Sequence, residues 1–399
     1  VRPGDRVVVA LPPGVAFAVA ALAAEHAGVT LAPLAPDADV DEAADALDAC
    51  LAVREHDGVF TTGSWRAPRT APTPDVRFLV QTSGTAGARR WVALSHDNVR
   101  AVLDSHAPRL ALAGATVLSV LPWHHVFGLV MQLLPALAAG ATLVRERSAG
   151  RDSASVVAAG EAHAVTHLDA VPYTVRRLAE RADGLALLTR LRGGVIGGAP
   201  VDAALAAVRA TTQLRVGYGQ TEASPGICLG DPGEWRAGFL GRPLGCDARV
   251  DDDGVLAFRG PNACVGTWEG GALHRLAPDR WARTGDLARP EADGSYTFEG
   301  RLADSFKLAN GRHVAAAAIE RAVCATFPRV REALLSSPDG DTLVLAVSGD
   351  GPPPDAAAVA PLLGGLAARP LRVVPVTPDA WVRTPKGELD RRHPTGGSG

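Results

Sequence analysis

Strand-like and helix-like segments alternate through the first two-thirds of this 399-residue chain, and that alternation limits the folds open to it. Val7–Leu11 is a short β-branched run, and Val15–His26 is an Ala-rich apolar stretch of helical length. Val76–Gln81, Thr116–Leu121 and Val165–Val171 read as buried strands. Pro172–Ala182 reads as a helix whose opening proline suits a first helical turn. Leu191–Ile196 and Leu214–Gly217 continue the rhythm. Strands separated by helices predict parallel sheets covered on both faces.

The texture changes between Gly238 and Gly300. Turn signals such as Asp253-Gly254, Gly270-Gly271 and Asp293-Gly294 separate short strands there, which predicts a β-rich subdomain. Beyond Arg301 a helix (Val314–Ala325) precedes strands at Glu332–Leu335 and Thr342–Val347, then a helix (Ala356–Leu366) and a strand (Leu371–Val376). The expected architecture is α/β. A large N-terminal domain, residues 1–301, carries stacked, mostly parallel sheets and the β-rich subdomain 238–300. A small α+β lid domain follows at 302–392, and 393–399 is expected to be a disordered tail.

Composition removes several classes of function. A net charge of −3 gives no footprint for nucleic acid or an anionic membrane. Val126–Val144 is almost wholly apolar, but Gly128, Gln132, Pro135 and Gly140 interrupt it, so a buried helix followed by a strand is expected rather than a membrane span. The five cysteines (Cys50, Cys228, Cys246, Cys264 and Cys324) include no Cys-x-x-Cys pair. Free thiols in a reducing cytoplasm are the expectation.

Chemistry concentrates in four short stretches. Thr82-Ser83-Gly84-Thr85-Ala86-Gly87-Ala88-Arg89-Arg90 follows a predicted strand. Its glycines let backbone N–H groups converge on phosphate oxygens, its hydroxyls add donors, and its terminal arginines can neutralise a polyphosphate. The Gly-Lys-Ser/Thr of a Walker loop is absent. Tyr218-Gly219-Gln220-Thr221-Glu222 also follows a strand, at the end where open α/β sheets bind ligands. Thr284-Gly285-Asp286 and Gly300-Arg301 come after β-rich sequence.

In this order the four stretches resemble the adenylate-forming superfamily of acyl- and aryl-CoA synthetases, peptide-synthetase adenylation domains and luciferases. The resemblance runs from Gly4-Asp5-Arg6-Val7 to Asp390-Arg391-Arg392. It implies that Thr82, Ser83, Gly84, Thr85 and Gly87 cradle the β- and γ-phosphates of ATP, with Arg90 where relatives carry Lys. It implies that His125, in Leu121-Pro122-Trp123-His124-His125-Val126-Phe127-Gly128, lines the acyl site. Gly198 and Ala199, in Gly197-Gly198-Ala199-Pro200, match the turn lining the adenine and acyl pockets. Tyr218, Gly219 and Gln220 would hold adenine, Thr221 the α-phosphate and Glu222 a Mg²⁺ ion. Asp286 and Arg301 would hold the ribose, a carboxylate being able to accept from two hydroxyls at once.

One departure bears on catalysis. Relatives place a catalytic Lys directly after the glycine of Arg383-Thr384-Pro385-Lys386-Gly387-Glu388, where this chain has Glu388. Three readings are open: Lys386 takes over as the catalytic lysine, the enzyme tolerates slow adenylation of an unusual substrate, or the first half-reaction is lost. A second departure is Ala303, at the expected hinge between the domains, where relatives carry Asp or Lys. Phe306-Lys307-Leu308-Ala309-Asn310-Gly311-Arg312 and Glu320 match the segment that relatives bring to the site for transfer.

The resemblance therefore implies ATP- and Mg²⁺-dependent activation of a small carboxylic acid as acyl-AMP, then transfer to a thiol, with coenzyme A as the leading co-substrate. Transfer to a carrier protein, an amine or another acceptor, and a nucleotide-binding pseudoenzyme, are the alternatives. No nucleic-acid partner is expected.

Overall fold

The computed structural model describes residues 1–56, 59–63, 66–83, 89–201, 205, 208, 211–309, 313–377 and 380–381. The chain divides into two compact units. The first comprises Val1–Ala248, Phe258–Ala282 and Glu291–Thr297, and the second Arg249–Ala257, Arg283–Pro290 and Phe298–Gly399.

An eight-stranded sheet opens the first unit. Its central strand, Arg6–Ala10, is buried along its whole length and pairs in parallel with Thr30–Pro33 and Leu51–His56. Helices Val15–Ala27 and Val40–Leu47 make the two crossovers that parallel pairing demands. Thr30–Pro33 also pairs in parallel with Val76–Ser83. The centre of the sheet is parallel, as expected, and its edges are antiparallel. Val59–Thr62 and Arg89–Ser95 return as antiparallel strands, and the hairpin Gly266–Glu269/Ala272–Arg275 adds antiparallel beside Arg89–Ser95. That last pairing joins residues far apart in sequence, which no local pattern reveals.

A second sheet, Thr142–Arg145, Thr116–Ser119 and His167–Asp169, is wholly parallel. Val195–Ile196 pairs in parallel with Arg215–Gly219, which continues antiparallel to Gly226–Leu229 and then Phe239–Pro243. Buried apolar clusters fill the space around these strands, two of them large. One is built around Val9, Phe17, Val80, Val99, Trp123 and Leu133, the other around Leu118, Val156, Leu168, Leu187 and Val216. Each fully buried aliphatic or aromatic side chain contributes roughly 1.5–3 kcal/mol.

The apolar stretch after His125 forms a helix followed by a strand. It is α-helical over Val126–Gly128 and Leu134–Ala138, with a π turn at Leu129–Leu133 between them, and the strand is Thr142–Arg145. All five residues of the π turn are buried. Among the described residues no helix is long and apolar enough to cross a membrane. All five cysteines are free thiols.

A fully buried cation sits in the first strand. Arg6 donates through Nε to the Leu47 carbonyl at 2.6 Å, through Nη1 to the Ala71 carbonyl at 3.1 Å and through Nη2 to Thr70 Oγ1 at 2.6 Å. Its guanidinium also pairs with the Asp48 carboxylate at 3.4 Å and lies 4.5 Å from the Trp268 ring. Each of the three guanidinium nitrogens has an acceptor, which is what lets a charge stay in a core.

In the second unit, helix Ala316–Thr326 packs on strands Val330–Ser336 and Leu343–Gly349, with Leu371–Pro375 parallel at the edge. Glu320 fixes the helix to the sheet by accepting from the Leu335 N–H at 2.7 Å. The helix expected at 356–366 is α-helical only over Ala356–Val359 and becomes 3₁₀ over Ala360–Leu366, with Gly364 at φ 54°. Pro361 and the Gly364-Gly365 pair, poor helix formers, account for the change.

Candidate active site

The site begins where the strand Arg215–Gly219 ends. Tyr218 lies opposite Cys228 and Gly219 opposite Gly226, with the register shifting between the two pairs. The chain then turns through a 3₁₀ segment, Thr221–Ala223. The Glu222 carbonyl accepts from the Cys264 N–H at 2.8 Å, tying the turn to the residues before the edge hairpin. The short strand Val195–Ile196 leads into Gly197-Gly198, where Gly198 has φ +81°, a left-handed conformation that excludes most side chains.

These elements enclose a cavity of about 290 Å³. Six of the residues singled out from sequence line it together: His125, Gly198, Tyr218, Gly219, Gln220 and Thr221. The rest of the wall is largely apolar, with Val126, Phe127, Met131, Val195, Pro225 and Leu229. Phe127 thus faces the cavity. Trp123 instead fills the core, edge-on to Phe17 with ring centroids 5.8 Å apart.

The His125 ring lies 4.3 Å from the His124 ring. Desolvation by the surrounding protein lowers the pKa of His125. Burial, reinforced by His125, pushes His124 down to about 4. Both rings are therefore held toward the neutral form, in which a histidine can accept as well as donate a hydrogen bond.

A buried polar chain runs alongside the cavity wall. Trp123 Nε1 donates to Ser119 Oγ at 3.1 Å, Ser119 Oγ donates to Gln132 Oε1 at 2.6 Å, and Gln132 Nε2 donates to Asp169 Oδ2 at 3.2 Å. Asp169 Oδ1 accepts the N–H of Val195, a cavity-lining residue, at 2.9 Å. Burial raises the Asp169 pKa to about 6, against the opposing pull of the two donors.

Other residues singled out from sequence lie elsewhere. Thr82 and Ser83 end a strand whose antiparallel partner resumes at Arg89 and Arg90, and Thr82 Oγ1 donates to the Arg90 carbonyl at 3.4 Å. Arg90 is exposed and pairs with Glu269 at 3.2 Å. Ala199 is exposed beside Gly198. Neither Thr82, Arg90, Ala199 nor Glu222 is among the residues lining the cavity. In the second unit Arg301 Nε lies 2.8 Å from Asp286 Oδ1, so the two residues expected at the ribose are brought together. The Asp286 N–H donates to Thr284 Oγ1 at 3.0 Å, and that hydroxyl donates to the Leu256 carbonyl at 2.8 Å. Gly84, Thr85, Gly87, Lys386 and Glu388 lie outside the described residues, as do Asn310, Gly311, Arg312 and the tail 393–399.

A family model described as AMP-binding enzyme matches residues 51–266, more than half of the chain. The chain belongs to this family. It is an AMP-forming ligase that uses ATP. Among curated relatives, a feruloyl-CoA synthase from Amycolatopsis sp is 28% identical over 366 residues, covering 80% of this chain and 73% of the relative. An anthranilate–CoA ligase from Pseudomonas aeruginosa is 28% identical over 387 residues, covering 84% and 74%. The solved o-succinylbenzoate CoA synthetase of Bacillus subtilis, in complex with an acyl-adenylate intermediate, has the same fold, with a TM-score of 0.71 at 20% identity over 98% of this chain and 88% of that one.

Two of the lining residues not singled out from sequence are informative. His106 belongs to helix His96–Leu110, whose buried face is Asn98, Val99, Val102, His106 and Leu110. A histidine breaking an apolar stripe of helical period is the signal that could have found it. Met131 is the second, and it enters the cavity wall from the π turn, whose position no periodicity predicts.

Proposed function

We propose that this AMP-forming ligase activates a small carboxylic acid as its acyl-AMP and transfers the acyl group to the thiol of coenzyme A. The carrying observation is the single cavity in which His125 and an apolar wall meet Tyr218, Gln220 and Thr221 at a strand end. An apolar pocket with few polar groups suits an acid's body, and the strand end suits a nucleotide. A volume near the lower end of ligand pockets favours a small acid. Both curated relatives named above are CoA ligases or synthases of aromatic acids, which supports the choice of acceptor.

In the first step a carboxylate oxygen attacks the α-phosphorus in line, the acyl–phosphate bond forms and pyrophosphate leaves. Thr221 would donate to the α-phosphate, and Tyr218, Gly219 and Gln220 would position the adenine. Thr82, Ser83, Gly84, Thr85, Gly87 and Arg90 would hold the leaving phosphates, and Asp286 and Arg301 the ribose. Fixed donors aimed at developing charge are the main source of acceleration in such chemistry. In the second step the thiolate attacks the acyl carbon and AMP leaves, the thiol proton passing to solvent. Glu222 fits a Mg²⁺ ion, which takes one or two protein carboxylates and completes its shell with phosphates and water. That ion would neutralise phosphate charge.

ATP–pyrophosphate exchange with a panel of small acids, followed by addition of coenzyme A, tests this reading. Exchange followed by thioester formation is the expected result. Exchange without thioester would redirect the acyl group to a carrier protein or an amine. Nucleotide binding without exchange would favour a pseudoenzyme, the reading that Glu388 raises.

A further inference from the structure

Three pieces of the cavity wall are tied to one buried chain of hydrogen bonds. Trp123 stands two residues before the lining His125, buried with its ring against Phe17. Its Nε1 lies 3.1 Å from Ser119 Oγ, which lies 2.6 Å from Gln132 Oε1. Gln132 follows the lining Met131 in the π turn. Its amide reaches Asp169 Oδ2 at 3.2 Å, and Asp169 Oδ1 accepts the N–H of the lining Val195 at 2.9 Å. Ser119, Gln132 and Asp169 are all buried.

Protons and links balance along this chain. The indole N–H at one end and the Val195 backbone N–H at the other can only donate. The Ser119 hydroxyl and the Gln132 amide each supply one further proton, whichever way they turn. These protons match the links Trp123–Ser119, Ser119–Gln132, Gln132–Asp169 and Val195–Asp169 one for one, provided that residue 169 supplies none. An ionised carboxylate meets that condition, being an acceptor only. Asparagine at 169 brings one proton too many, so a buried donor is left without an acceptor, which is costly. Glutamate at 132 combined with asparagine at 169 restores the match, because the carboxylate has only moved one place along the chain.

We propose that Asp169 and Gln132 are positioning residues that hold Val195, Met131 and the His125 segment at a fixed spacing, and that this spacing selects acids by their width. The inference rests on reading this cavity as the acid pocket. A displacement of about 1 Å in a positioned group is enough to change what binds productively. Tyr218, Gln220 and Thr221, the residues expected at ATP, stand on the neighbouring strand and its turn. The effect is therefore expected on the acid rather than on ATP.

The test is ATP–pyrophosphate exchange at pH 8, above the Asp169 pKa of about 6, with benzoic, toluic and naphthoic acids and with straight-chain and branched aliphatic acids. Wild type is compared with Asp169→Asn and with the double variant Gln132→Glu/Asp169→Asn, each checked for folding by its melting transition. Asp169→Asn is expected to raise the acid KM by about ten-fold and to change the order in which acids of different width are preferred, with the ATP KM within about two-fold of wild type. The double variant is expected to return the acid KM to within about three-fold of wild type and to restore the order. A wild-type acid KM and order in Asp169→Asn overturn the proposal. An equal rise in both KM values overturns it too, since that marks a general loss of structure, and so does a double variant no better than Asp169→Asn. Should Asp169→Asn fail to fold, Ser119→Ala decides, a milder change because Trp123 Nε1 already lies 3.4 Å from Gln132 Oε1. Its acid KM is expected to rise by about three-fold with the ATP KM unchanged, and an unchanged acid KM overturns the proposal. No exchange by wild type with any acid instead overturns the adenylation reading itself, and this inference falls with it.

Discussion

Arg301 and Asp286 hold each other across 2.8 Å, the carboxylate 5% exposed and the guanidinium 60% exposed. A buried carboxylate restrained by an arginine is oriented before any ligand arrives. Asp286→Asn removes the charge and one acceptor. It is expected to weaken ATP binding by about ten-fold or more, the usual worth of a hydrogen bond to a charged group. Titration with nucleotide, compared with Arg301→Ala, measures it. Unchanged affinity in both variants would end the ribose assignment.

Gly219 faces Pro225 across the strand pair, and a Cβ at Gly219 would collide with the Pro225 carbonyl. Gly219→Ala is expected to displace the Tyr218–Thr221 segment and to reduce exchange by at least about 10², the scale of small misplacements in positioned reactants. A kcat/KM within a few-fold of wild type would show that the turn yields without loss.

Arg6 is a stability determinant rather than a functional one. Arg6→Leu strands the Leu47 and Ala71 carbonyls and leaves Asp48 with only its Arg69 and Thr70 donors. Breaking a buried ion pair on one side costs about 3–5 kcal/mol. Urea unfolding of wild type and variant at pH 7 gives the difference directly. A loss below about 1 kcal/mol would mean that the site relaxes around the leucine.

Asp169 links stability to acidity. Its pKa rises on folding from 3.8 to about 6, so between those values the native state keeps a proton that the unfolded chain has released. Rising pH therefore favours unfolding across that window, by up to ~3 kcal/mol, and adds nothing further above it. The stability of wild type relative to Asp169→Asn should fall from pH 4 to 6 and then level off. A flat difference would mean that Asp169 is ionised throughout.

Lys386 is the candidate to replace the lysine missing at Glu388. Lys386→Ala is expected to slow exchange by about 10²–10³, the cost of one oxyanion donor. An unchanged rate would mean that Lys386 does not replace the lysine missing at Glu388.

The readable part of the site is the contiguous part. Tyr218–Thr221 can be recognised because one strand and one turn deliver every residue to the same cavity. The central parallel strands are readable for a similar reason, since each crossover is local. The hairpin at 266–275 is marked by its Gly270-Gly271 turn, but its place in the sheet is not, because its partner is Arg89–Ser95. Nor is the mutual grip of Asp286 and Arg301, since spacing names both residues without revealing that they touch. His106 escapes notice because a single helical position looks like core until the cavity beside it is seen.

The π turn at Leu129–Leu133 has a consequence for how this pocket changes over generations. Such a turn accommodates one extra residue within a helix, and each residue of an α-helix rotates the chain by about 100°. Here it sets Met131 against the cavity and its neighbour Gln132 into the buried polar chain. Loss of one codon within it would remove the extra residue and present a different side chain to the cavity. The lining of the cavity can thus shift by a deletion rather than by a substitution.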